Sequence, residues 1–196
     1  MKLRIIHHQN TVFTSLSYVI FDDRKRFCWI ADVGDCDEIC KMIEGYELKG
    51  ILLTHVHYDH IYGLNDLQQL YPQVPIYTNQ FGVKSLQSPT DNLSVYHDDC
   101  FVLNEDAKVI VLKEGERIEF GLYQAVVMET PGHDHSCLSF LIDDICFTGD
   151  AYIPGVKVFT KLQNGDSAVA KVSRSRLKGL EGVAIYPGHL VSLNDK

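Results

Sequence analysis

No run of about 18 apolar residues occurs in this 196-residue sequence, which excludes a membrane-spanning helix. Basic residues are in the minority: 18 Lys and Arg stand against 26 Asp and Glu, for a net charge of −8. That balance excludes a general binder of nucleic acid or of anionic membranes, both of which demand a basic face. Proline and glycine number only 6 and 14, so collagen-like and low-complexity chains are excluded as well. The first residues lack the long apolar stretch of an export signal. Six cysteines (Cys28, Cys36, Cys40, Cys100, Cys137 and Cys146) are scattered, without the density of a disulfide framework. Cys36 and Cys40 have the spacing of one helix face and not of a zinc knuckle. Reduced thiols and a cytoplasmic location are the expectation.

What is present is a globular composition, 45% hydrophobic and 22% charged. Residues 1–196 read as one domain, able to bury roughly 70% of the surface exposed when unfolded. Runs rich in β-branched and aromatic residues predict strands at 3–7, 15–21 and 27–33, with a hairpin turn at the polar residues 22–25. Cys36, Ile39, Cys40 and Ile43 share a helical face, with Asp35 as N-cap and Gly45 as the stop. Residues 50–54 form an unbroken apolar run, the pattern of a buried strand. Further helices are predicted near 65–70, at 80–86 and at 167–177. Further strands are predicted at 76–78, 109–112, 117–120, 125–129, 138–142, 145–148 and 183–186. Many strands with interspersed helices suggest two sheets with helices outside.

The strongest chemical signal is Thr54-His55-Val56-His57-Tyr58-Asp59-His60, placed directly after the apolar run. Three imidazoles and a carboxylate at a strand end can converge on a cation, because neutral His and Asp are both zinc ligands. His133, Asp150 and His189 each follow an apolar strand and sit beside Gly or Pro able to shape a tight turn.

This set, H-x-H-x-D-H followed by separate His, Asp and His, resembles the metallo-β-lactamase superfamily, in particular its compact glyoxalase II-like members. The resemblance runs from the first strands to His189. It implies an α/β fold, a four-layer αβ/βα sandwich in a single domain, with a dinuclear metal site between the sheets. It also implies that His55, His57 and His133 bind one metal, that Asp59, His60 and His189 bind the second, and that Asp150 bridges them. Five neutral histidines and two carboxylates give two cations a ligand charge of only −2, which leaves the site electropositive. Two zinc ions are the expected cofactors, with iron or manganese as the other candidates. A bridging hydroxide would then attack a small ester, thioester or lactone, with Asp59 orienting it.

Two alternatives share these ligands: a mononuclear iron oxygenase like the persulfide dioxygenases, and a phosphodiesterase acting on a small nucleotide-like substrate. Glyoxalase II proper carries a further C-terminal helical region that contacts glutathione, whereas seven residues follow His189, so glutathione specificity stays open. True β-lactamases generally lack the bridging Asp, and this chain has Asp150.

Beyond the ligands, Asp32 matches an acidic turn that supports metal loops in this superfamily. Tyr152 is a candidate oxyanion donor. His135 reads as an outer or surface residue, and His7, His8 and His97 as structural or solvated. Between residues 151 and 180, six Lys and Arg face one Asp, a net of +5 that leaves −13 for the rest. Lys157 and Lys161 are therefore candidate contacts to a small substrate and would suit one carrying carboxylate or phosphate, whereas Lys171 to Lys178 read as a solvated helix face. Pocket shape should depend on the loops 11–14, 88–99 and 152–165. No nucleic-acid or membrane partner is expected, and the oligomeric state is not readable in the sequence.

Overall fold

Strand-forming residues fall in two blocks, and each block builds one sheet. The structure, a computed structural model, describes residues 3–190. The expected 1–196 domain runs past these at both ends, and those positions lie outside the described residues. The first block supplies β1 (Arg4–Gln9), β2 (Leu16–Asp22), β3 (Phe27–Ala31), β4 (Glu47–Leu52), β5 (Ile76–Thr78) and β6 (Val109–Val111). They pair in that order into a six-stranded sheet. The second block supplies β7 (Arg117–Phe120), β8 (Tyr123–Glu129), β9 (Leu138–Ile142), β10 (Ile145–Gly149) and β11 (Ala184–Pro187), ordered β11-β10-β9-β8-β7. Four α-helices connect them: α1 (Cys36–Met42), α2 (Leu64–Leu70), α3 (Gln80–Ser85) and α4 (Ser167–Lys178).

Connection length sets the pairing sense. β2 and β3 are antiparallel across a tight turn in which Asp22 Oδ1 accepts from the Arg24 and Lys25 amides, each at 3.1 Å. β3 to β4, and β4 to β5, cross over through helices and pair in parallel, as crossovers of that length require. α4 likewise carries the chain from β10 to its parallel neighbour β11.

The period-2 alternation of β2 explains the layering. Leu16, Tyr18 and Ile20 point between the sheets, where they meet Trp29, Phe120, Phe140 and Phe147. Trp29 stacks on Phe120 with ring centroids 4.3 Å apart. Val19 and Phe21 point the other way, into a cluster with Ile39 of α1 and with Leu64 and Leu67 of α2. The outer face of the second sheet packs Met128 and Cys146 against Leu177 of α4. Helices, sheet, sheet and helix give the four-layer αβ/βα sandwich. All six cysteines are free. Among the described residues no helix is long and apolar enough to cross a membrane.

Boundaries differ from the sequence expectation where tertiary contacts intervene. The strand expected at 50–54 starts earlier and stops at Leu52. Its continuation turns away because the Thr54 amide is claimed by Asp32 and the Thr54 carbonyl by Leu138. Asp35 precedes α1 without capping it, since its carboxylate already accepts from Thr11 and Tyr62 and meets His8. α1 ends at Met42, and Gly45, at φ +77°, forms the turn beyond it.

Gly50 lies under the indole of Trp29, and a Cβ there would sit 2.2 Å from Trp29 Cζ3. Gly50→Ala must displace a ring that is itself stacked on Phe120. We expect it to destabilise the fold by about 1–3 kcal/mol in urea unfolding while metal content is unchanged. An unchanged midpoint would contradict this packing account.

Candidate metal centre

Four strands deliver the site. β4 leads to His55 and His57, and a 3-10 turn, Tyr58–His60, presents Asp59 and His60. β8 leads to His133, β10 to Asp150 and β11 to His189. The two sheets are stitched together at this same end. The Leu138 amide donates to the Thr54 carbonyl at 2.7 Å, and the Leu16 amide to Gly188 at 2.8 Å. Tyr18 Oη donates to the Pro187 carbonyl at 2.7 Å.

The ligand-type atoms gather into His55–His57–His133 and Asp59–His60–His189, with the atoms of each within 4.8 Å of one another, and a third such group, Asp32–His55–His60, joins the two through shared histidines. Asp150 lies between them. One of its oxygens is 3.5 Å from both His133 Nε2 and His189 Nε2, and the other is 3.8 Å from His60 Nε2. Asp59 Oδ2 is 3.4 Å from both His60 Nε2 and His189 Nε2. All seven residues named from the sequence motif therefore converge.

Three of the imidazoles are oriented from behind. His133 Nδ1 donates to the Phe159 carbonyl at 2.7 Å, which leaves Nε2 facing inward. His60 Nδ1 meets Asp32 Oδ2 at 2.9 Å. His57 Nε2 lies 3.6 Å from Asp134 Oδ2, so its Nδ1 faces the site, 3.0 Å from His133 Nε2. Asp134 is itself fixed by the amide and hydroxyl of Ser136. The sequence reading missed Asp134; its signal was a carboxylate adjacent to a ligand histidine.

The electrostatics describe a cradle that seeks positive charge. Burial, then the neighbouring histidines, push His55 well below the usual imidazole range. Burial and His57 also lower His133, against the pull of Asp150. Burial opposes a charged His60 too, yet Asp59, Asp32 and Asp150 overcome it and raise His60 to about 9. His189, despite burial, is raised to about 10 by its contacts with Asp150 and Asp59. Asp150 stays far below the carboxylate range despite burial, because His189, His60 and His133 surround it. His55 Nε2, His60 Nε2 and Asp150 Oδ1 are buried without any hydrogen-bond partner. Such atoms are costly unless a cation meets them, so the residues present fit bound metal.

A cleft of about 360 Å³ opens over His57, Asp59, His133, Asp150 and His189. Its walls come from the three loops singled out in the sequence: Phe13 from the first, Leu93, Tyr96 and His97 from the second, Phe159 and Leu162 from the third. His97 was expected to be structural or solvated; it instead lines the cleft, 4.3 Å from the Tyr58 ring and 5.5 Å from Phe13. Phe13, Tyr96 and Phe159 are 68%, 77% and 54% exposed, so large apolar side chains ring the opening.

Three other expectations are corrected. Tyr152 packs into the outer cluster with Leu177 and Cys146, and its ring faces Arg174, away from the cleft. Lys157 lines a different cavity, and Lys161 is exposed and lines neither. The loop is irregular: it turns Phe159 and Leu162 toward the cleft and Lys157, Val158 and Thr160 toward the other cavity. His135 is exposed against Phe81, as expected of a surface residue.

The metallo-beta-lactamase superfamily matches residues 35–189, and the chain belongs to that superfamily. It is 30% identical over 160 residues to a probable metallo-hydrolase of Streptococcus pyogenes, covering 78% of this chain and 69% of that protein. It is 31% identical over 180 residues to a hydroxyacylglutathione hydrolase of Hahella chejuensis, covering 85% of this chain and 58% of the relative. The chain thus spans little more than half the length of that second relative. The crystal structure of the BLEG-1 B3 metallo-beta-lactamase superposes with a TM-score of 0.84 at 22% identity, over 96% of this chain and 92% of the other, and shares the fold.

Asp32→Ala removes the partner that fixes His60, and we expect zinc affinity to fall roughly 10- to 100-fold in a competitive chelator titration. Unchanged affinity would refute the orienting role. Without metal, the carboxylates of Asp59, Asp32 and Asp150 favour the protonated form of His60, and those of Asp150 and Asp59 the protonated form of His189. Metal uptake must displace these protons, so zinc loading in weak buffer should acidify the solution, and affinity should climb with pH. Loading without proton release would contradict this.

Proposed function

We propose that the chain is a metal-dependent hydrolase that cleaves a small ester, thioester or lactone bearing an uncharged, apolar group. The observation that carries the reading is the position of Asp150 between two ligand groups, at the floor of a cleft with aromatic and aliphatic walls. His55, His57 and His133 would hold one ion and Asp59, His60 and His189 the other, with Asp150 shared. When bound, such ions supply an activated water and polarise a carbonyl oxygen.

The chain's own residues supply the rest. Asp59, at the cleft floor, is placed to accept a hydrogen bond from the attacking water and orient it. Phe13, Tyr96 and Phe159 offer apolar surface for the acyl or leaving group and exclude water from it. Among the described residues no Lys or Arg lines this cleft. An anionic substrate, expected from the basic stretch around Lys157, would meet no Lys or Arg side chain there among the described residues. Zinc is the preferred metal on ligand chemistry, because five imidazoles with two carboxylates make a borderline donor set.

Elemental analysis of protein purified without added metal or chelator is expected to give about two zinc per chain. Close to one iron would overturn the hydrolase reading in favour of oxygen chemistry. Zinc-loaded protein should hydrolyse an aryl butyrate faster than the corresponding succinate half-ester. Asp59→Asn should lower kcat roughly 10²- to 10⁴-fold. Phe159→Ala should instead raise KM about three- to tenfold with kcat retained, the signature of lost substrate binding. Full activity in Asp59→Asn would sink the assigned role.

A further inference from the structure

A second cavity, of about 350 Å³, lies on the far side of the loop that walls the metal cleft. Three cations line it: Lys157 from the loop, and Lys171 and Arg174 one turn apart on α4. Thr160 and Ser167 add hydroxyls, and the remaining lining is aliphatic. No carboxylate lines it among the described residues. The adjacent Asp166 is spent on the helix it caps, accepting from the Ala168 and Val169 amides at 2.8 and 3.0 Å.

These cations also lack a carboxylate partner. Arg176, two residues further along α4, is held by Glu114 at 2.5 Å, whereas Lys157, Lys171 and Arg174 form no ion pair among the described residues. Arg174 Nε is buried without a hydrogen-bond partner. The chain as a whole carries −8 and yet collects three uncompensated positive groups in one concavity. Like charges so placed repel one another until an anion joins them. A guanidinium fork with two ammonium groups suits an oxyanion that carries two negative charges. The volume, near the lower end for ligand sites, fits a small molecule.

We propose that this cavity binds a small organic dianion, its charge carried by a phosphate monoester or by two carboxylates. The site is separate from the metal centre. Phe159 and Leu162 of the same loop face the cleft, while Lys157 and Thr160 face the cavity. The proposal therefore stands independently of what the metals do.

The test is calorimetric titration of phenyl phosphate, and separately of phthalate, into the zinc-loaded protein, into Lys157→Ala and into Arg174→Gln. At least one probe should bind with a Kd of about 1 mM or tighter. Either substitution should weaken it roughly tenfold, the loss of one charge-assisted contact. Binding should persist after chelation of the metal, and both variants should keep the parent's turnover of an uncharged ester. Stronger binding of phenyl phosphate names a phosphate monoester as the ligand class, and stronger binding of phthalate names a dicarboxylate. The proposal is overturned if neither probe binds, if binding survives both substitutions in variants with native circular dichroism, or if chelation abolishes it. Lys157 is exposed, so its substitution keeps the test valid even if Arg174→Gln fails to fold.

Discussion

The site depends on one buried carboxylate. Asp32, 1% exposed, follows the end of β3 and accepts three hydrogen bonds: from the Thr54 amide at 2.7 Å, the Thr54 hydroxyl at 2.6 Å and His60 Nδ1 at 2.9 Å. It therefore holds the point where the chain leaves β4 and one inner histidine at the same time. Its backbone lies at φ +60°, a conformation that costs a non-glycine residue and persists where surroundings over-determine it. Here the surroundings do so. The Asp32 amide is bonded to Leu52, and the next amide, Val33, to the carbonyl of His60. Removing the carboxylate would leave buried donors unpaired, which is more damaging than losing the bonds alone.

From that anchor the geometry propagates through close contacts. Thr54, held by Asp32, passes its carbonyl to Leu138 of the second sheet, and its side chain packs where a Cβ on Gly149 would fall, 2.3 Å away. Gly149 adopts φ +48° and places Asp150 next in the chain. Gly188 makes the corresponding allowance on the other side, since a Cβ there would meet Asp150 Oδ1 at 2.1 Å. Glycine beside Asp150 and beside His189 is thus a steric requirement of bringing these strand ends to one point.

The candidate metal ligands were legible because their identity is local: residue type and spacing after an apolar strand are properties of a few consecutive residues. The sheet strands were legible for the same reason, and the antiparallel hairpin at residues 22–25 followed from its polar turn. Less legible was whatever depends on where a loop turns. Residues 152–165 contain Tyr152, Lys157, Phe159 and Lys161, all within reach of the site in sequence, yet only Phe159 lines the cleft. An irregular segment carries no period from which its facing can be read. Asp134 and His97 were overlooked because their importance lies in partners 77 and 39 positions away, His57 and Tyr58.

The opposed faces of that loop bear on substrate choice. A basic stretch beside a metal ligand suggests an anionic substrate when charge is counted along the chain. Folding separates the two features, turning Lys157 toward α4 and leaving aromatic and aliphatic side chains over the candidate metal ligands. The loop is not an inert partition, because the Phe159 carbonyl fixes His133 and the Asp166 amide donates to Gly132 at 2.8 Å. The Pro131 carbonyl in the same turn accepts from Ser173 of α4 at 2.6 Å. α4 and the loop thus share the task of presenting one imidazole. Charge on their outer side and apolar surface on their inner side serve two different molecular contacts, and the local excess of lysine and arginine describes the outer one.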